Sequence, residues 1–273
     1  MALGPVPDPL TPESKDDNSQ LDNVTKPDNS SGRMSFLDHL DELRKRLIIA
    51  ATALLVGFLL SFAVIEHIFQ FIMGGMQAAL PPGDQLVYTE PTEAFFLYIK
   101  MAALSGLLLA IPLVFHQLWK FVAPGLYAHE KKFAIPFVVL ASGFFIGGTT
   151  FSHYMLFPWA WKFFASFSTG SEIMQFLPRI QPAFSLYVKL TLACGLVFQM
   201  PTMVFFLARV GAVTPRFLAR NTKYAILLIF IFAAVLTPTG DPVTLTMMAA
   251  PMILLYGLSI IIAWIFRRRR DDE

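Results

Sequence analysis

Six stretches of this chain, residues 47–65, 94–115, 133–156, 183–207, 224–236 and 243–266, are built almost entirely from Leu, Ile, Val, Phe, Ala and Met. A helix that crosses about 30 Å of hydrocarbon needs about 20 such residues, and inside lipid it must satisfy its own backbone hydrogen bonds. The runs therefore predict an all-α integral membrane protein with six transmembrane helices. Only 15% of the 273 residues are charged, where a soluble domain would be nearer a quarter. This excludes a soluble globular enzyme, a nucleic-acid-binding module and a disordered scaffold. The single cysteine, Cys194, lies inside an apolar run, so there is no disulfide framework. The formal net charge of +2 is uninformative beside the placement of the charges.

The fifth run is short, about 20 Å at 1.5 Å per residue, and must sit in thinned bilayer or lean on its neighbours. The turn after it, Pro238-Thr239-Gly240-Asp241-Pro242, is tight and proline-bounded, so the last two spans are expected to form an antiparallel hairpin. Orientation follows from the lysines and arginines of the connections. One side collects fifteen, among them Arg44, Lys45, Arg46, Lys120, Lys131, Arg216 and Arg267; the other has only Lys162 and Arg179. Both termini are expected to be cytoplasmic. Residues 1–32 are polar and rich in Pro, Ser, Asn and Asp, which predicts a disordered cytoplasmic extension rather than a signal peptide. The membrane domain is expected over 33–266 and a charged cytoplasmic tail over 267–273. The loops at 67–92 and 157–182 hold Phe69, Phe71, Trp159 and Trp161, which suits helices lying at the interface as a cap. Trp119 and Trp264 are expected to mark the inner interface.

Catalysis has no support. His129-Glu130-Lys131-Lys132-Phe133 has Phe133 where a zinc-protease helix needs its second histidine. His116 and His129 are separated by Pro124-Gly125 and do not share a helix as a haem pair would. His39, His67 and His153 fall near span ends, where an interfacial histidine is expected. No nucleophile elbow or phosphate-binding loop occurs, and no cofactor is implied. Polar residues inside the runs are exceptional: Lys100 and Lys189 lie near the outer ends of their spans, and Gln199 precedes Met200-Pro201, where proline frees a backbone carbonyl. On the basic face, acids are few: Asp38, Asp41, Glu42 and Glu130. Asp41 and Glu42 stand four residues before Lys45 and Arg46, good spacing for local pairs. The other use of such carboxylates is to hold a cationic ligand through charge-assisted hydrogen bonds to guanidinium groups.

The run His39-Leu40-Asp41-Glu42-Leu43-Arg44-Lys45-Arg46-Leu47 resembles the HLxELRxRL opening of the TatC family, the multi-span component of the twin-arginine protein translocase. The stretch from Gln117 through Trp119, Phe121, Pro124 and Leu126 to Glu130 resembles the second signature of that family, and Leu236-Thr237-Pro238 with Asp241 resembles the turn before its last span. The resemblance covers about 35–266. It implies a concave receptor for signal peptides bearing two consecutive arginines, on proteins exported folded, with Glu42 and Glu130 holding the arginines and Phe121 and Arg44 beside them. It also implies single-span TatA/TatB-type partners in an oligomeric complex within the lipid bilayer, transport driven by the proton-motive force, a prokaryotic inner membrane, and no nucleic acid.

Two departures stand out. Gln199 occupies a position where the family often has glutamate, so a titrating role there is in doubt while hydrogen bonding to a partner helix survives. Gly74-Gly75 stand where the family commonly has proline, which is expected to loosen the outer cap. Gln199, Asp241, Lys100 and Pro124 are expected at partner-docking or structural positions. The rival reading is a small-solute secondary transporter, which predicts midplane ion-coupling carboxylates and an inverted repeat. Neither is visible.

Overall fold

A computed structural model describes residues 36–78, 86–122, 134–166, 177–236 and 241–265. The expected disordered extension 1–32, the basic tail 267–273 and the turn residues Pro238, Thr239 and Gly240 lie outside them. The chain divides into Met1–Leu40 and Asp41–Glu273, and the packing that follows belongs to the second unit.

The described residues are almost entirely helical. Helix α1 is Phe36–Ala63 and α2 is Ile65–Ala78, followed by α3 over Pro91–Val122 and α4 over Ala134–Phe151. A π turn at Ser152–Leu156 leads into α5, Phe157–Ser166. Then come α6 (Ile180–Val197), α7 (Met200–Val210), α8 (Pro215–Arg220), α9 (Thr222–Leu236) and α10 (Pro242–Ile265). Five helical stretches are long and apolar enough to cross a membrane: His39–Ala63, Pro91–Phe121, Ile135–Ser166, Ile180–Ala208 and Pro242–Ile265. Thr222–Leu236 is a shorter apolar helix of 15 residues, about 22 Å long. It leans on α10 through Ile229 and Ala233, both fully buried.

Three features depart from the sequence reading. The second span, expected to stop at Phe115, continues as helix to Val122. Trp119, on this added stretch, packs against protein: it is 4% exposed, with its ring 4.7 Å from Phe137 and 6.2 Å from Phe206. Trp264, by contrast, is exposed. The third span, expected to end at Leu156, runs on through the π turn into α5, so 157–166 continues this helix instead of forming a separate cap helix. Pro158 explains the turn. In an α-helix its ring would meet the carbonyl four residues back, and the Phe157 N–H instead donates to Ser152 O, five residues back, widening the helix at that point. His153 thereby sits inside a long helix, half-buried, and not at a span end.

α2 does read as amphipathic. Ile65, Ile68, Phe69, Ile72, Met73 and Met76 recur at helical spacing and turn toward the core, leaving Glu66, His67 and Gln70 exposed. The core joins this face to Leu97, Met101 and Leu104 of α3 and to Phe157, Trp161, Phe184 and Tyr187. Phe157 stacks on Trp161 at 5.3 Å and meets Tyr187 edge-on at the same distance. Lipid tails are as apolar as leucine, so close packing rather than exclusion of water holds such helices together. The sharpest case is α1 against α3. A Cβ added at Gly57 would lie 2.5 Å from Gly106 O, and one added at Gly106 would lie 2.5 Å from Phe58 N. Only hydrogen side chains permit this crossing. Elsewhere α1 is bare: 11% of its apolar window is buried, against 50% for Ile180–Ala208.

Candidate functional site

Glu42 lies nearly two turns into α1, and Arg46 follows four residues later on the same face. The Arg46 guanidinium donates to Glu42 Oε1 at 3.0 Å, with the two side chains 27% and 16% exposed respectively. The other carboxylate oxygen, Oε2, is buried and has no hydrogen-bond partner among the described residues, and neither has Arg46 Nε. A carboxylate offers about four lone-pair sites and accepts a guanidinium best through both oxygens. Glu42 thus has one oxygen held by Arg46 and one covered oxygen whose acceptor capacity is unused among the described residues. Asp41 forms no ion pair with Lys45 among the described residues, and Arg44 is exposed.

Of the second signature, α3 carries Gln117, Trp119 and Phe121 on its last two turns. Gln117 is buried with its Oε1 unpartnered among the described residues, and Phe121 is half-buried and engaged with neighbours. Glu130 and Pro124, with His129, lie outside the described residues. Of the expected carboxylate pair, only Glu42 lies among the described residues.

Gln199 sits where α6 gives way to α7. Phe198 N–H still bonds to Cys194 O, but Gln199 N–H reaches only to Leu196 O, and Pro201 has no N–H to offer. The Gln199 amide nitrogen donates to Ala141 O of α4 at 3.0 Å and to Gly195 O at 3.5 Å. The side chain is 8% exposed and ties the helix break to its neighbour. Asp241 caps α10: its Oδ2 accepts from Thr244 N–H at 2.8 Å, and Pro242 opens the helix, the usual N-terminal arrangement. Lys100 is exposed on α3. Gly75 lies against His153, where a Cβ would stand 3.0 Å from the ring, while Gly74 faces open space. At Gly75 the missing side chain permits the close approach of His153.

Sequence reasoning missed two polar links. Glu93, 1% exposed, accepts from Arg179 through Oε1 at 2.5 Å and from Thr89 N–H through Oε2 at 3.2 Å. Beside it, Val87 and Arg179 form a parallel bridge, with Ile180 N–H donating to Val87 O at 2.8 Å and Val87 N–H to Pro178 O at 3.1 Å. The starts of α3 and α6 are clasped together. The Thr-Glu-Pro-Thr-Glu run at 89–93 is a readable helix start with glutamate in the first turn; nothing local points to Arg179. The second link joins the π turn to α6: His153 Nδ1 lies 3.0 Å from Tyr187 OH, and its ring stacks on Phe71 of α2 at 4.6 Å. Among the described residues no group of three His, Cys, Asp or Glu side chains could hold a metal ion.

Against known proteins, residues 38–251 match the sequence model of the family described as Sec-independent protein translocase protein (TatC). The Sec-independent protein translocase protein TatC of Desulforapulum autotrophicum is 40% identical over 238 residues, 87% of each chain. That of Koribacter versatilis is 41% identical over 250 residues, covering 88% of this chain and 90% of the relative. A crystal structure of the twin arginine translocase receptor TatC superposes with a TM-score of 0.70 at 32% identity, covering 84% of this chain and 99% of that one.

Proposed function

This chain belongs to the TatC family of Sec-independent protein translocase proteins, and from that premise we propose that it is the receptor that reads paired arginines in the signal peptides of folded cargo. It is a multi-pass membrane protein of a translocase, a family that moves proteins and is not enzymatic. The observation that carries the proposal is the unused acceptor capacity of Glu42, whose Oε2 has no partner among the described residues and is covered, so that an incoming guanidinium must displace its cover. A structural ion pair on a helix surface has no need to keep one carboxylate oxygen buried and unanswered, whereas a recognition carboxylate must keep capacity for the incoming guanidinium. Arg46 prepares the site by fixing the Glu42 rotamer and by repelling a lone stray cation. Once that cover is displaced, an arginine, with its planar fork, can answer the second oxygen and still share the first; lysine offers a point charge and fits less well.

In this proposal Glu130 supplies the second carboxylate, for the second arginine, and Phe121 the apolar wall beside it. In the same reading six spans put both termini on one side of a prokaryotic inner membrane, and the bias of fifteen cationic residues on one set of connections against two on the other makes that side cytoplasmic. Assembly with single-span TatA/TatB-type partners, and transport driven by the proton-motive force, belong to the same reading, with Gln199 and Asp241 supporting the helices against which a partner would pack.

Site-specific photocrosslinking in membrane vesicles tests it. An Arg-Arg signal peptide is expected to crosslink strongly, a Lys-Lys peptide about tenfold less, and both Glu42→Gln and Glu130→Gln to lose most of the Arg-Arg signal. Equal crosslinking of the two peptides, or full crosslinking in both variants, refutes the assignment.

A further inference from the structure

Lys100 of α3 and Lys189 of α6 line one groove of about 430 Å³, walled by Ala103, Leu107, Val188 and Leu192, with Ser185 also lining it. The Val87–Arg179 bridge and the Glu93–Arg179 pair tie together the starts of α3 and α6. Lys100 stands seven residues beyond Glu93, about 10 Å along α3, and Lys189 ten residues beyond Arg179, about 15 Å along α6. The two lysines are therefore at similar depth on adjoining helices. Both side chains are exposed, and neither forms an ion pair with any carboxylate among the described residues. Two ammonium groups facing the same apolar groove repel each other, and each is costly within hydrocarbon unless it meets an anion or reaches the headgroups. Apart from the two lysines and Ser185 the groove is lined by apolar side chains, which suits an acyl chain.

We propose that Lys100 and Lys189 form a binding site for an anionic glycerophospholipid, its phosphate held between the two ammonium groups and an acyl chain lying along Leu107, Val188 and Leu192. Charge complementarity selects the headgroup: a zwitterionic lipid brings its own cation toward the lysines, whereas a phosphatidylglycerol or a diphosphate lipid brings only anions. Ser185 can donate to the same phosphate. The site rests on the membrane-spanning reading of α3 and α6, not on signal-peptide recognition.

Native mass spectrometry of the full chain released from detergent provides the test, with titrations of cardiolipin, of phosphatidylcholine with matched acyl chains, and of inorganic phosphate. The first cardiolipin adduct is expected at about tenfold lower concentration than the phosphatidylcholine adduct. That advantage should shrink in K100Q and in K189Q, vanish in the double variant, and persist in K100R/K189R, which keeps both charges and guards against a folding defect. Unchanged cardiolipin preference in the double Gln variant overturns the proposal. So does ready displacement of cardiolipin by inorganic phosphate, which would make this a free-anion site. Unaltered lipid adducts with loss of single-span partners on co-purification would assign the lysines to a partner's carboxylate instead. Arg-Arg peptide crosslinking should be normal in all these variants, so failure here is separable from failure of the receptor reading.

Discussion

Two glutamate–arginine pairs in this protein look alike as contacts and differ in what they leave over. At the start of α3, Glu93 spends both oxygens, one on Arg179 and one on the Thr89 amide, and joins segments 86 residues apart. At the start of α1, Glu42 spends one oxygen on Arg46, a neighbour on its own helix, and keeps the other buried without a partner among the described residues. The first is complete and closes a loop between two long helices. The second is local, so its loss should barely touch the fold, and incomplete, so it can take a further donor. Satisfaction, more than the presence of a salt bridge, separates a clasp from a binding group.

Substitutions should break that contrast in a definite order. The largest effect is expected at the clasp. Arg179→Ala strands the Glu93 carboxylate, and thermal unfolding in detergent should fall by roughly 5–10 °C. Replacing both partners by glutamine should recover much of the loss, because no buried charge is then left alone. Next comes the helix crossing that holds α1: Gly106→Leu must push α1 away from α3 and is expected to cost about 3 kcal/mol, visible as a lower melting temperature and as easier proteolysis of α1. Asp241→Ala removes the α10 cap and should cost about 1 kcal/mol in the same assay. Gln199→Leu loses the bond to Ala141 O for about 0.6 kcal/mol, and if that side chain supports partner packing, co-purification of single-span partners should drop with it. Glu42→Gln should change stability least of all, because a helix pair of this four-residue spacing contributes about 0.3–0.5 kcal/mol.

How much of this was legible in the sequence follows from the range of each interaction. Apolar runs and the bias of Lys and Arg between connections are sums over many residues, so the helices and the proposed orientation could be read directly. The amphipathic face of α2 was within reach too, since Ile65, Ile68, Phe69, Ile72, Met73 and Met76 keep one period. What escaped depends on distant partners or on backbone adjustment. Glu93 and Arg179 carry no mutual signal across 86 residues. The third run was expected to end at Leu156, and only the π turn at Ser152–Leu156 shows how the helix continues past Pro158. The run of low charge ends near Phe115, although α3 does not. At the candidate site, motif resemblance selected Glu42, but whether its oxygens were already occupied could not be known from residue order. The local pairing with Arg46, foreseeable from the four-residue spacing, coexists with the unused oxygen instead of excluding a ligand.

The claim that Glu42 is a recognition carboxylate is tested most directly by equilibrium binding of a fluorescent Arg-Arg signal peptide to purified wild-type protein and to Glu42→Gln, with thermal unfolding measured on the same samples. The expected result is affinity weakened by about tenfold or more with an unchanged melting temperature. Equal affinity in the two proteins, at equal stability, would contradict it and return Glu42 to helix-end electrostatics.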